Sequence, residues 1–141
     1  MSGRVERAQI VAAARAYIGT PFVHQGRLCG VGIDCAGLVL GVAADLGIRA
    51  VEVSGYGRSP DEDRFRSIVR EHLDMIPWPE VLPGDVLTFQ FVAEQHLAIV
   101  ATVSPCGIVH AFEKVGRCVE QPLDAVWLRR LRGCYRFPEV G

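Results

Sequence analysis

Residues 35–46 read Cys-Ala-Gly-Leu-Val-Leu-Gly-Val-Ala-Ala-Asp-Leu, apolar or small on nearly every face of a helix. A helix without a polar side must be covered all round, so it belongs at the centre of a core rather than on a surface. Its ends are marked. Asp34 is a natural N-cap, and Gly47 supplies the residue type that most readily ends a helix. Whatever this chain folds into is built around that segment, and the cysteine stands in its first turn.

The flanking sequence supplies the cover. Ile10, Val11, Ala14 and Ile18 recur at helical spacing over residues 4–18, with Gly19 at the cap and Pro21 beyond it. A glycine-rich loop, His24-Gln25-Gly26 through Gly30-Val31-Gly32, leads into Asp34. Residues 52–64 are polar and turn-rich, and Phe65, Ile68, Val69 and Leu73 predict a further helix over 62–75. The second half changes character. Residues 86–91 predict a strand launched by the Pro83-Gly84-Asp85 turn, 97–103 a second, and 108–112 a third after Ser104-Pro105-Cys106-Gly107. Residues 118–120 and 133–137 are weaker strand candidates. Helices first and an antiparallel sheet second is an α+β plan, and 141 residues fit one domain spanning 1–141.

Composition excludes several classes. A formal net charge of −1 with scattered basic residues gives no electrostatic footprint for nucleic acid. No stretch approaches the roughly 20 apolar residues of a membrane span. Residues 8–18 are interrupted by Gln9 and Arg15, which reads as an amphipathic helix rather than a secretion signal. The expectation is synthesis in the cytoplasm. Five cysteines, Cys29, Cys35, Cys106, Cys118 and Cys134, are an odd number and argue against a disulfide framework. His24, Cys29 and Cys35 lack the spacing of a zinc knuckle, and no metal or other cofactor is expected.

Cys35 is the candidate nucleophile. Backbone N–H groups and the positive end of the helix dipole favour thiolate at a helix start, so a pKa below the free-thiol value of about 8.5 is expected. The same N–H groups suit an oxyanion. Cys35 also reads as a small buried residue, the commonest fate of free cysteine. Among the histidines, His96 opens the second strand and is the candidate base. His110, inside the third, could fix the tautomer of His96 or be a core histidine bonded to a carbonyl. Geometry raises an obstacle. A tight turn at Pro105-Cys106 sets His110 opposite Val100 or Ala101, leaving His96 more than about 10 Å away along the strand. The two meet only through a longer loop or a bulge. Glu94, Gln95, Gln90 and Glu113 are substitutes for the third role.

Gly19-Thr20-Pro21-Phe22, His24-Gln25-Gly26 and Gly30-Val31-Gly32-Ile33-Asp34-Cys35-Ala36-Gly37-Leu38 resemble the nucleophile region of the NlpC-type cell-wall cysteine endopeptidases, closest to the compact branch of phage tails and prophages. Pro83-Gly84-Asp85-Val86, His96-Leu97-Ala98-Ile99-Val100, Val109-His110-Ala111 and Tyr135-Arg136-Phe137-Pro138 follow in matching order. The resemblance implies a papain-like α+β fold, N-terminal helices on a C-terminal antiparallel sheet, and a Cys35, His96, His110 triad without metal. It implies substrate contacts at Asp34, Phe22, Gln25 and Ala36. It further implies cleavage of the D-glutamyl–diamino acid bond in peptidoglycan stem peptides, with phage-tail proteins as partners. Two departures from that activity stay open: a weak or inactive tail-tip module, and an amidase or acyltransferase on the same fold. Phe22 stands where the family usually has Tyr, and Asp34 reads equally as a helix cap.

Overall fold

A computed structural model describes residues 5–48, 69, 72–91, 95–138 and 140. Its centre is the segment that opened the argument. Helix α2 (Cys35–Asp45) follows α1 (Arg7–Arg15), and between them the loop forms a short antiparallel pair, β1 (Arg27–Leu28) and β2 (Gly32–Ile33). Then come β3 (Asp74–Ile76), a 3₁₀ turn (Trp78–Glu80), β4 (Val86–Gln90), β5 (Gln95–Val103), β6 (Cys106–Phe112), β7 (Arg117–Pro122), α3 (Ala125–Arg130) and β8 (Leu131–Arg136). Six strands form one sheet in the order β3-β8-β4-β5-β6-β7, every pair antiparallel. The α+β expectation is met.

Strand alternation sorts the sheet residues into two cores. Leu97, Ile99, Val109 and Ala111 face one way, onto Ile10 and Ala14 of α1 and Leu38 and Val42 of α2. Leu87, Phe89, Ala98, Val100 and Ile108 face the other way, toward Trp127 of α3. Each fully buried aliphatic side chain contributes about 1.5–3 kcal/mol, so covering both faces matters for a chain this small. Helix α3 was not foreseen: its six residues carry Arg129 and Arg130 and too little apolar periodicity. The Asp124 carboxylate caps it by accepting from the Trp127 N–H at 3.0 Å.

The helix expected over 62–75 falls mostly outside the described residues, as does the turn-rich segment 52–64. Its last two residues do not fit. Asp74 and Met75 belong to β3 and pair with Arg136 and Tyr135 of β8. The cross-strand ladder, with Pro77 close behind, overrides the helical spacing. The weak strand candidates are real and longer than expected, as β7 and β8.

One charged cluster joins distant parts of the chain. Asp85, fully buried, accepts two bonds from the Arg136 guanidinium at 2.9 and 3.0 Å and one from Arg7 at 2.9 Å. It also accepts from the Leu82 N–H at 2.9 Å. The turn before β4, helix α1 and the final strand are thus tied through one carboxylate.

Candidate active site

The approach to Cys35 is built by Asp34. One carboxylate oxygen accepts from the Gly37 N–H and the other from the Gln25 N–H, each at 2.7 Å. The first bond is the helix cap; the second holds Gln25 in left-handed backbone at φ +62°. Gly26 and Gly37 meet so closely that a Cβ on Gly37 would collide with the Gly26 carbonyl. The loop is clamped onto the first turn of α2. Upstream it is stitched to β7: the Gly19 N–H donates to the Cys118 carbonyl and the Cys118 N–H to the Thr20 carbonyl, both at 2.9 Å.

Cys35 is the first residue of α2 and keeps part of its surface open. The backbone N–H groups of Leu97, Ala36 and Cys35 itself turn toward its sulfur. The contact with Leu97 has a topological cause. Pairing of β5 with β6 ends at Ile99–Val109, so the N–H of Leu97 lies beyond the ladder. Leu97 follows His96 in β5, so this contact ties the start of α2 to the strand that carries His96.

The histidines meet by the route that the sequence left open. The β5–β6 register shifts by one residue between Val100 and Thr102. Carried onward from Ile99–Val109, the shifted register sets His110 across from Ala98, on the same face as His96. Without the extra residue, His110 would oppose Ile99 and point to the other face. As it is, His96 Nε2 lies 2.7 Å from His110 Nδ1. His110 Nε2 in turn lies 2.8 Å from Oε1 of Gln121 on β7. His110 is thus the side chain that meets His96 Nε2. Gln121 was missed because the weak strand candidate stops at Glu120, one residue short of it, whereas the strand runs to Pro122.

Aromatic rings enclose the pair. Phe112 lies 5.3 Å and Trp127 5.5 Å from His96 between ring centroids, and Trp127 is 5.0 Å from His110. Phe89 and Phe91 complete the wall. Loss of water lowers the pKa of His96 well below 6.5, with the neighbouring His110 adding to the effect, and lowers His110 also. At Cys35 the expected depression is reversed. Burial, followed by the Asp34 charge, pushes the thiol up to about 12, and the three N–H groups only partly offset this. Both partners are thus neutral near pH 7.

The remaining named residues divide. Asp34 is buried; one oxygen caps α2 and the other holds the Gln25 N–H. Phe22 is half-buried against the main core, and Ala36 is buried behind Cys35. Gln25 touches the site through its backbone N–H. His24 and Cys29 are exposed. Among the described residues no three His, Cys, Asp or Glu side chains form a metal-binding group, and no helix is long and apolar enough to cross a membrane.

These features define a class of fold: the papain-like α+β arrangement of NlpC/P60 proteins, with a cysteine-led helix against an antiparallel sheet. Solved structures agree. The NlpC/p60 domain of the peptidoglycan hydrolase SagA superposes with a TM-score of 0.65 at 23% identity, over 94% of this chain and all of that one. An NlpC/P60 family protein from Bacillus cereus ATCC 10987 gives 0.71 at 16% identity, over 95% of this chain and 41% of that one. A lipoprotein-like NLP/P60 family protein from Staphylococcus aureus gives 0.65 at 21%, over 97% and 44%. The chain thus spans less than half of the latter two. No family model of protein sequences matches the chain, nor does any curated protein sequence.

Proposed function

We propose that the chain is a cysteine peptidase that hydrolyses peptidoglycan stem peptides, with Cys35 as nucleophile, His96 as base and His110 as orienting partner. The carrying observations are two: the Leu97 N–H of β5 reaches the Cys35 sulfur at the start of α2, and His96, the residue before Leu97, has its ring 2.7 Å from that of His110. In this mechanism the thiol passes its proton to His96 as sulfur attacks the scissile carbonyl. The N–H groups that open α2 face the developing oxyanion. His96 then gives the proton to the departing amine as the C–N bond breaks. Water, with His96 as base, adds to the thioester and frees the acid.

The bond best supported by the likeness of the nucleophile segment is that between D-glutamate and the diamino acid. The same segment supports action on the wall as part of a phage tail or after release from a prophage host. The peptidoglycan hydrolase named among the fold neighbours supports the substrate class. One observation favours a second reading, an inactive tail-tip module: the thiol is held neutral, with a pKa of about 12. A peptidoglycan zymogram of the wild type beside Cys35→Ala separates the two. Clearing by the wild type alone supports the peptidase; none by either supports the module. Mass spectrometry of the soluble products names the bond.

A further inference from the structure

We infer that Gln121 is a positioning residue that sets the tautomers of both histidines and so makes His96 Nδ1 the basic nitrogen. This rests on the assignment of Cys35 and His96 proposed above. An imidazole has two nitrogens, and in the neutral ring one donates while the other accepts. The chain His96 Nε2–His110 Nδ1–His110 Nε2–Gln121 Oε1, with contacts of 2.7 and 2.8 Å, can therefore be polarised in only two ways. A glutamine carbonyl oxygen accepts and never donates. Against Oε1, His110 must carry its proton on Nε2 and present a bare Nδ1. His96 must then donate from Nε2, which leaves its lone pair on Nδ1. Were the amide nitrogen turned inward, every bond would reverse and His96 would carry its proton on Nδ1, useless as a base toward a neutral thiol.

The fold holds Gln121 in place for this. In the β6–β7 register His110 pairs with Val119 and Ile108 with Gln121, so Gln121 is the diagonal neighbour of His110 on one face. Its strand is flanked by β6 on one side and by the segment 19–22 on the other, which leads to Cys35. Phe112 stacks on His110 and Trp127 meets it edge-on, so apolar rings flank the imidazole there.

The test is imidazole ¹⁵N NMR on the full chain as wild type, Gln121→Met and Gln121→Glu, with hydrolysis followed in parallel. Met keeps the length and cannot match the acceptor; Glu keeps the acceptor. The wild type should show both rings protonated on Nε2. Gln121→Met should shift population toward Nδ1–H and lower kcat roughly 10- to 100-fold, less than the 10²–10⁴ that general-base catalysis as a whole contributes. Gln121→Glu should keep the Nε2–H forms and most of the rate. An Nδ1–H wild-type ring, or a Gln121→Met spectrum identical to wild type, overturns the inference. If no form digests peptidoglycan, the spectra still decide the tautomers, and the failure belongs to the proposed function.

Discussion

At Cys35 two opposed influences act on one sulfur. The start of α2 and the N–H of Leu97 favour thiolate; burial and the adjacent Asp34 favour the thiol, and they prevail. With His96 held neutral, the resting pair resembles a hydroxyl and its base more than a preformed ion pair. The sign for reactivity follows. Thiolate accumulates only as pH approaches about 12, so alkylation of Cys35 by iodoacetamide in the free protein should still be rising steeply above pH 9. A plateau reached below pH 8 would contradict the raised pKa and count against the inactive-module reading. The residue type and its place were legible in the sequence, because a cap followed by an apolar run announces a helix start. The direction of its pKa was not, since the distance to a sheet residue 62 positions away decides how much water remains.

At the scale of elements, the loop–helix clamp and the Asp85 tie are the most sensitive parts. Gly37→Ala places a methyl against the Gly26 carbonyl, backbone against which no side chain can give way. It should cost about 1–3 kcal/mol or more and displace the first turn of α2. Thermal unfolding and hydrolysis should fall together; an unchanged melting temperature argues that the clamp is looser than described. Asp85→Ala leaves the Arg136 and Arg7 guanidinium groups without their buried partner and should cost about 3–5 kcal/mol in urea unfolding. A loss under 1 kcal/mol would show that the turn is held otherwise. Strands β4 to β6 were legible from branched and aromatic runs. The bulge after Val100 was not, because nothing in Val-Ala-Thr-Val distinguishes a bulged strand from a regular one. Yet it determines which face His110 occupies.

For the whole molecule, both faces of the sheet are buried, and His96 and His110 lie inside the second core. Their folded pKa values are lowered, so in acid the unfolded chain binds protons more readily than the folded one. Their contribution is complete above about pH 6.5 and is lost as pH falls from there toward the folded values. Melting temperature should therefore drop between pH 7 and 5. His96→Phe, matched to its aromatic surroundings, should flatten that drop; an identical slope would place the acid sensitivity elsewhere. The α+β plan was readable from the change in pattern midway along the chain, but the second core was not. It depends on one tryptophan in a six-residue helix whose other residues look like surface. The central claim, that Cys35 becomes acylated by a wall peptide, is tested most directly by acid-quenching the protein during digestion of purified peptidoglycan and mapping its mass. A stem-peptide acyl adduct confined to the peptide bearing Cys35, lost on further incubation, is the predicted result. Soluble products accumulating equally from wild type and Cys35→Ala, with no adduct, would contradict it.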